Sequence, residues 1–164
     1  MPTGRDRRLK IICLGNPKLR FDRFGPAVGD RLTTGIRNRL FPHPGIEVRG
    51  TTKSPLIELE EILKAFDWGI QNPKLVLVDA VTEERTMWKE DPFLVADREL
   101  QDIRWEVMPE VLMHELEKHI WRTIFLHIPP MRMGDVNIAL HADAAAKTIL
   151  AWERETRADA QMAD

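Results

Sequence analysis

The feature that most constrains the fold is a continuous apolar run at residues 75–78, bounded by Lys74 and Asp79. Successive side chains of a β-strand point to opposite faces, so a strand with this sequence is apolar on both sides. Such strands lie in the centre of parallel sheets covered by helices on both faces, whereas a half-exposed antiparallel strand alternates apolar and polar residues. Residues 74–80 are therefore predicted to form a central parallel strand.

The rest of the chain alternates between strand-like and helix-like patterns. Short apolar or alternating runs predict further strands at residues 10–14, 46–50, 92–96 and 123–128. Apolar residues that recur every three or four positions predict helices at residues 25–40, 54–66, 109–120 and 143–157. Repeated strand–helix units build parallel sheets. The predicted fold is therefore α/β in three layers, a mostly parallel sheet flanked by helices on both faces.

The composition fits one globular domain, residues 1–164. The 164 residues, 43% of them hydrophobic and 30% charged, are enough for one core but not for two ordinary domains. A net charge of -2 argues against a nucleic-acid partner or a membrane surface. No run approaches the roughly 18 apolar residues of a membrane span, and no signal-peptide pattern is found. A cytoplasmic protein is expected, whose single cysteine, Cys13, lies in an apolar run and is predicted to be buried rather than catalytic.

Two aspartates follow predicted strands. In open α/β sheets, ligands bind in the crevice beyond the carboxyl ends of the strands. Asp79 ends the central strand, and Asp22 lies in the loop after the first strand, residues 15–26, which is long compared with the about two to six residues usual there. Each has a structural explanation, because an aspartate can favour a helix dipole or cap a turn. Together, two carboxylates facing one crevice can bind a divalent cation or share a proton, so both are predicted to be catalytic.

Three segments resemble the hydrogenase maturation endopeptidases, in the order in which that family has them. Residues 12–26 resemble its opening, which is a strand, a Gly-Asn pair like Gly15-Asn16, an acidic pair before Gly-x-Gly, and then a helix. Residues 75–81 resemble its strand that ends in Asp-Ala, and residues 124–130 resemble its late strand that ends before a proline. The chain departs from the family in both loops. The acidic pair is Phe21-Asp22 and the glycine after it is Arg23, while the late Gly-Ile-Gln-Pro is His127-Ile128-Pro129-Pro130.

The resemblance implies the three-layer fold and an endopeptidase activity. Members of the family remove a C-terminal extension from the large-subunit precursor of a nickel-iron hydrogenase after nickel has been inserted. Their metal-contacting acidic residue and the aspartate of Asp-Ala correspond to Asp22 and Asp79. The chain has no permanent metal motif such as His-Glu-x-x-His, so nickel or another divalent metal is expected to arrive with the substrate, and no tightly bound cofactor is expected.

The family also contacts the metal through a histidine, and its place falls near Trp105 or Glu106. Glu106 is therefore predicted to be the third metal ligand. It would make an all-carboxylate site, which suits nickel less well than a site with an imidazole. His114, on the polar face of a predicted helix, and His127, after a buried strand, remain as alternatives.

Two other functions stay open. Residues 22–26 also resemble the Asp-x-Leu-Gly-Pro opening of the spore germination protease, in which Asp22 and Asp79 would act as an acid/base dyad without metal. The missing histidine and glycine are equally compatible with a non-catalytic binding or chaperone-like relative that holds a metalloenzyme precursor. Trp88 and Trp105 would then supply a partner surface, unless they are simply buried.

Overall fold

The structure, a computed structural model, describes residues 9–38, 46–50, 55–65, 74–81, 91–96 and 110–163. The strands are β1 (Leu9–Cys13), β2 (Ile46–Gly50), β3 (Lys74–Val81), β4 (Phe93–Ala96) and β5 (Ile120–His127). The helices are α1 (Phe24–Asn38), α2 (Pro55–Ala65), α3 (Glu110–His119) and α4 (Ile138–Ala163), with two short 3-10 turns at Arg20–Asp22 and Pro130–Arg132. In the described residues, no helix is both long and apolar enough to cross a membrane.

The five strands form one sheet in the order β2-β1-β3-β5-β4. All neighbours are parallel except β4, which runs antiparallel to β5 at the edge. The central strand is β3, and its residues Leu75 to Asp79 are all buried. The predicted mostly parallel sheet, with residues 74–80 at its centre, is confirmed.

Each face of the sheet has its own apolar core. Helices α1 and α4 cover one face, where their buried residues pack against Ile11, Val76 and Ile124. Helices α2 and α3 cover the other face and pack against Leu77 and Phe125. The three-layer arrangement is therefore confirmed. Of the residues predicted on the apolar helix faces, Ile62 is half-buried and the following are buried: Val28, Leu32, Leu59, Leu63, Leu116, Ile149 and Trp152.

Several element boundaries differ from the prediction, most of all those of the last helix, which ends at Ala163 rather than near residue 157. Ile120 was expected on the apolar face of the third helix, but it is the first residue of β5, where it lies opposite Leu75. The last helix begins at Ile138 rather than near residue 143, because the Asn137 side-chain oxygen accepts a hydrogen bond from the Leu140 N–H at 3.2 Å and caps an additional turn. The predicted helix ends at residues 40, 54 and 66 lie outside the described residues.

Candidate functional site

Asp79 lies near the carboxyl end of the central strand. It is opposite Phe125 of β5, and because side chains alternate along a strand it faces the layer of α2 and α3, as Leu75 and Leu77 do. Only 9% of Asp79 is exposed, and its Oδ1 accepts a hydrogen bond from the Ala80 N–H at 2.8 Å. Burial, and then the charge of Asp22, raise the pKa of Asp79 well above its ordinary value, against the lowering effect of the Ala80 N–H.

Asp22 reaches the same edge of the sheet from the loop after β1. The loop closes in a 3-10 turn in which the Asp22 N–H donates to the Leu19 carbonyl at 2.9 Å. The Asp22 Oδ2 accepts a hydrogen bond from the Asn16 N–H at 2.8 Å. Burial raises the pKa of Asp22, and the Asn16 hydrogen bond partly opposes that rise. The structure therefore brings the two predicted carboxylates close enough for the charge of one to affect the other.

Gly15 allows the loop to hold Asp22 in this position. Its φ of 143° lies in a region that side-chain-bearing residues rarely adopt, and a Cβ there would overlap the Asp22 carbonyl oxygen. Asn16, the next residue, then presents its N–H to the Asp22 carboxylate. The sequence singled out the Gly15-Asn16 pair as a turn after the first strand and through the family resemblance. No local sequence pattern predicted the hydrogen bond from Asn16 to Asp22.

Arg23 stands where the family that the sequence resembles has glycine, and its backbone is unstrained. Its backbone angles, φ -81° and ψ -8°, are ordinary right-handed values that any L-residue adopts. Its side chain is exposed, and its Nε donates to the Pro17 carbonyl at 2.8 Å across the loop. This departure from the family pattern therefore leaves the position of Asp22 intact.

Of the three candidates for a third ligand, the structure describes His114 and His127. Glu106, like its neighbour Trp105, lies outside the described residues, and so does Trp88. His114 is exposed on α3. His127 ends β5 two residues after Phe125, so it faces the same side of the sheet as Asp79; it is buried and stacks on Phe93 with ring centroids 4.8 Å apart.

In the described part of the chain, no three His, Cys, Asp or Glu side chains are grouped so that they could hold a metal ion. At the edge of the sheet, this part of the chain has two carboxylates, Asp79, which is buried, and Asp22, which is half-buried. Two carboxylates can share a proton, or can complete the coordination of an ion that other groups also hold.

Cys13 takes no part in this site. It is fully buried on the opposite face of the sheet, and burial, with a smaller contribution from Asp30, raises the pKa of its thiol to about 12. A thiol of that pKa is not ionised at neutral pH and is a poor nucleophile. The prediction of a buried cysteine is confirmed.

The raised pKa of Asp79 predicts how stability changes with pH. The folded chain keeps the Asp79 proton in a pH range where the unfolded chain, with a carboxyl pKa of about 4, has released it. The native state therefore binds more protons, and the contribution of Asp79 to the free energy of unfolding falls as pH rises above about 4. Denaturant unfolding of the wild type and of Asp79→Asn should show the variant gaining stability relative to the wild type between pH 4 and pH 7. If the difference in free energy of unfolding between the two proteins stays constant over this range, the pKa of Asp79 is not raised in the folded chain.

Comparisons with known proteins agree on the fold. Neither a family model nor a curated protein sequence matches this chain. Among solved structures, the hydrogenase maturating endopeptidase HybD from E. coli is similar at a TM-score of 0.52 and 14% identity, covering 91% of this chain and 93% of HybD. An uncharacterized protein from Wolinella succinogenes is similar at a TM-score of 0.50 and 18% identity, covering 91% of this chain and 99% of that protein. At these identities the likeness shows a shared fold, and this is the fold that the sequence resemblance implied.

Proposed function

We propose that this chain is a divergent hydrogenase maturation endopeptidase, which removes a C-terminal extension from a nickel-iron hydrogenase large-subunit precursor after metal insertion. The observation that carries the proposal is the position of Asp22 and Asp79, at one edge of a sheet whose fold HybD shares. Two of the three segments that resemble the family contain these two residues. The cytoplasm, expected from the sequence, is the proposed location.

In this proposal, Asp22 and Asp79 contact the nickel, or another divalent ion, that the substrate carries. Burial and mutual repulsion make it costly to ionise both carboxyls in the free protein. A cation between them removes the repulsion and favours the ionised pair, because opposite charge favours the charged form of a carboxyl. A precursor without metal gains nothing from this pair, so cleavage depends on metal loading. The ion would polarise the scissile carbonyl or a water molecule next to it.

Glu106 is kept as the proposed third ligand, and His127 is the alternative that lies at this edge of the sheet on the same face as Asp79. The variants Glu106→Gln and His127→Ala distinguish the two, since only the residue that contacts the ion should be required for metal-dependent cleavage. His114, exposed on α3, is the other alternative and is replaced in the same series, while His141, on α4 across the sheet from Asp79, provides the matched control.

A second function, a metal-independent aspartate dyad, is favoured by one observation. The charge of Asp22 raises the pKa of Asp79, and two carboxyls coupled in this way can share one proton and divide the roles of acid and base. The two functions use the same residues and differ only in whether the substrate must carry a metal.

Purified protein and a hydrogenase large-subunit precursor, prepared with and without nickel, separate these functions. We expect cleavage of the nickel-loaded precursor alone, measured as the loss of the extension by intact mass. Equal cleavage of the nickel-free precursor in the presence of a chelator would instead establish the dyad. Binding of the precursor without cleavage of either form would contradict both enzymatic functions and favour the chaperone-like relative.

A further inference from the structure

The loop that holds Asp22 carries three exposed cationic side chains, Lys18, Arg20 and Arg23, which we call the basic rim. Within the described part of the chain, none of the three forms an ion pair with a carboxylate. Some other cations on the described surface do so, as Arg122 does with Glu155 at 3.1 Å, whereas Lys147 and Arg154, one turn or more apart on α4, do not. On a chain with a net charge of -2, the basic rim is therefore a local excess of positive charge beside the candidate site.

The loop backbone is held in place by hydrogen bonds, so the basic rim keeps a defined position relative to Asp22. The Lys18 N–H donates to the Asn16 Oδ1 at 3.0 Å, and the Leu19 N–H donates to the Asn16 carbonyl at 3.1 Å. The Arg23 Nε bonds to the Pro17 carbonyl. The side chains of Lys18 and Arg20 take no part in this network, which leaves them available to a partner.

At this edge of the sheet, the cations beyond β5 and those beside β1 differ in whether carboxylates neutralise them. Beyond β5, Arg132 pairs with Asp135 at 3.0 Å and lies 3.6 Å from Asp91, so its charge is compensated. Beside β1 the basic rim has no such compensation among the described residues. Leu19, which is 44% exposed, lies between Lys18 and Arg20 in the sequence and presents an apolar side chain at the same surface.

We propose that the basic rim binds an acidic segment of the polypeptide substrate and so positions that substrate over Asp22 and Asp79. The proposal rests on the proposed function for the identity of the substrate, but the binding chemistry stands on charge complementarity alone. Exposed ion pairs are individually weak and are screened by salt, so the affinity should fall steeply with ionic strength. Complementary charge also speeds the encounter with the correct partner.

A charge-reversal experiment tests the rim. The probes are a fluorescent glutamate-rich peptide and its glutamine counterpart, with binding followed by anisotropy at low ionic strength. The test variant is Lys18→Glu/Arg20→Glu. Arg23 is left unchanged because its side chain also bonds to the Pro17 carbonyl and so helps to hold the loop. The control is Lys147→Glu/Arg154→Glu, two exposed cations of α4, on the opposite side of the sheet from Asp79.

We expect the wild type and the control to bind the glutamate peptide, and the test variant to bind it about tenfold more weakly. The glutamine peptide should bind weakly to all three proteins. Equal binding of the glutamate peptide by all three proteins would overturn the proposal. So would tighter binding of a single-stranded oligonucleotide that is lost with the rim substitution, because the rim would then be a nucleic-acid site.

The hydrogenase precursor provides the second readout. The test variant should raise KM for the nickel-loaded precursor about tenfold and leave kcat close to that of the control, since Asp22 and Asp79 are untouched. If no protein in the series cleaves the precursor, the proposed function fails, whereas the peptide comparison still decides whether the rim binds acidic segments.

Discussion

Replacing Asp79 by asparagine is expected to reduce processing by at least about 100-fold while making the folded chain more stable at neutral pH. Asparagine keeps the shape of the side chain and its bond to the Ala80 N–H. It removes the charge that would contact the metal or carry the proton. It also removes a carboxyl whose ionisation is opposed by burial and by Asp22. Opposite changes in activity and stability are typical of a functional group held in an unfavourable environment.

The two effects are measured separately, by precursor cleavage and by denaturant unfolding at pH 7. Asp30→Asn, at an exposed carboxylate of α1, is the matched control and should leave both quantities nearly unchanged. Full processing by Asp79→Asn would contradict a catalytic role for this residue. A strong loss of stability would show that Asp79 serves the fold instead.

Replacing Gly25 by alanine is expected to destabilise the fold by about 3 kcal/mol. Gly25 lies in the first turn of α1, and a Cβ on it would overlap the carbonyl oxygen of Leu14. Leu14 in turn donates its N–H to the Val78 carbonyl at 2.8 Å, which ties the start of the loop to β3. The nearest atoms to the new Cβ all belong to the Leu14 backbone, so no rotamer change can relieve the clash and α1 must move away from the sheet.

Gly134 provides the control for this substitution, because a Cβ at Gly134 would have no atom within 4 Å. Gly134→Ala should change the free energy of unfolding by no more than about 0.5 kcal/mol. Denaturant midpoints for the two variants, with unchanged slopes, give the comparison. Equal midpoints for Gly25→Ala and Gly134→Ala would show that the contact between α1 and the Leu14 backbone is not tight.

The fold was largely predictable because its signals are local. The apolar run before Asp79 marks a strand buried on both faces, and the period of Val28 and Leu32 marks a helix face. The errors occurred where local patterns are ambiguous. Ile120 fits the helical period as well as it fits a strand, and the cap at Asn137 is a single side-chain bond that does not stand out in the sequence.

The candidate site was predictable in part. The strand-end rule and the long loop singled out Asp79 and Asp22, and both lie at one edge of the sheet. The sequence did not reveal the face on which His127 lies, because that depends on the register between β3 and β5. It also did not reveal the bond from Asn16 to Asp22, which depends on the φ of Gly15. The assignment of Glu106 stays a prediction.

The central claim is tested most directly by the intact mass of the hydrogenase large subunit, purified from cells with and without this gene. The proposed function predicts that the subunit keeps its C-terminal extension only when the gene is missing, and that the wild-type gene restores the mature mass while Asp79→Asn does not. A mature subunit in cells that lack the gene would show that this chain is not its processing enzyme.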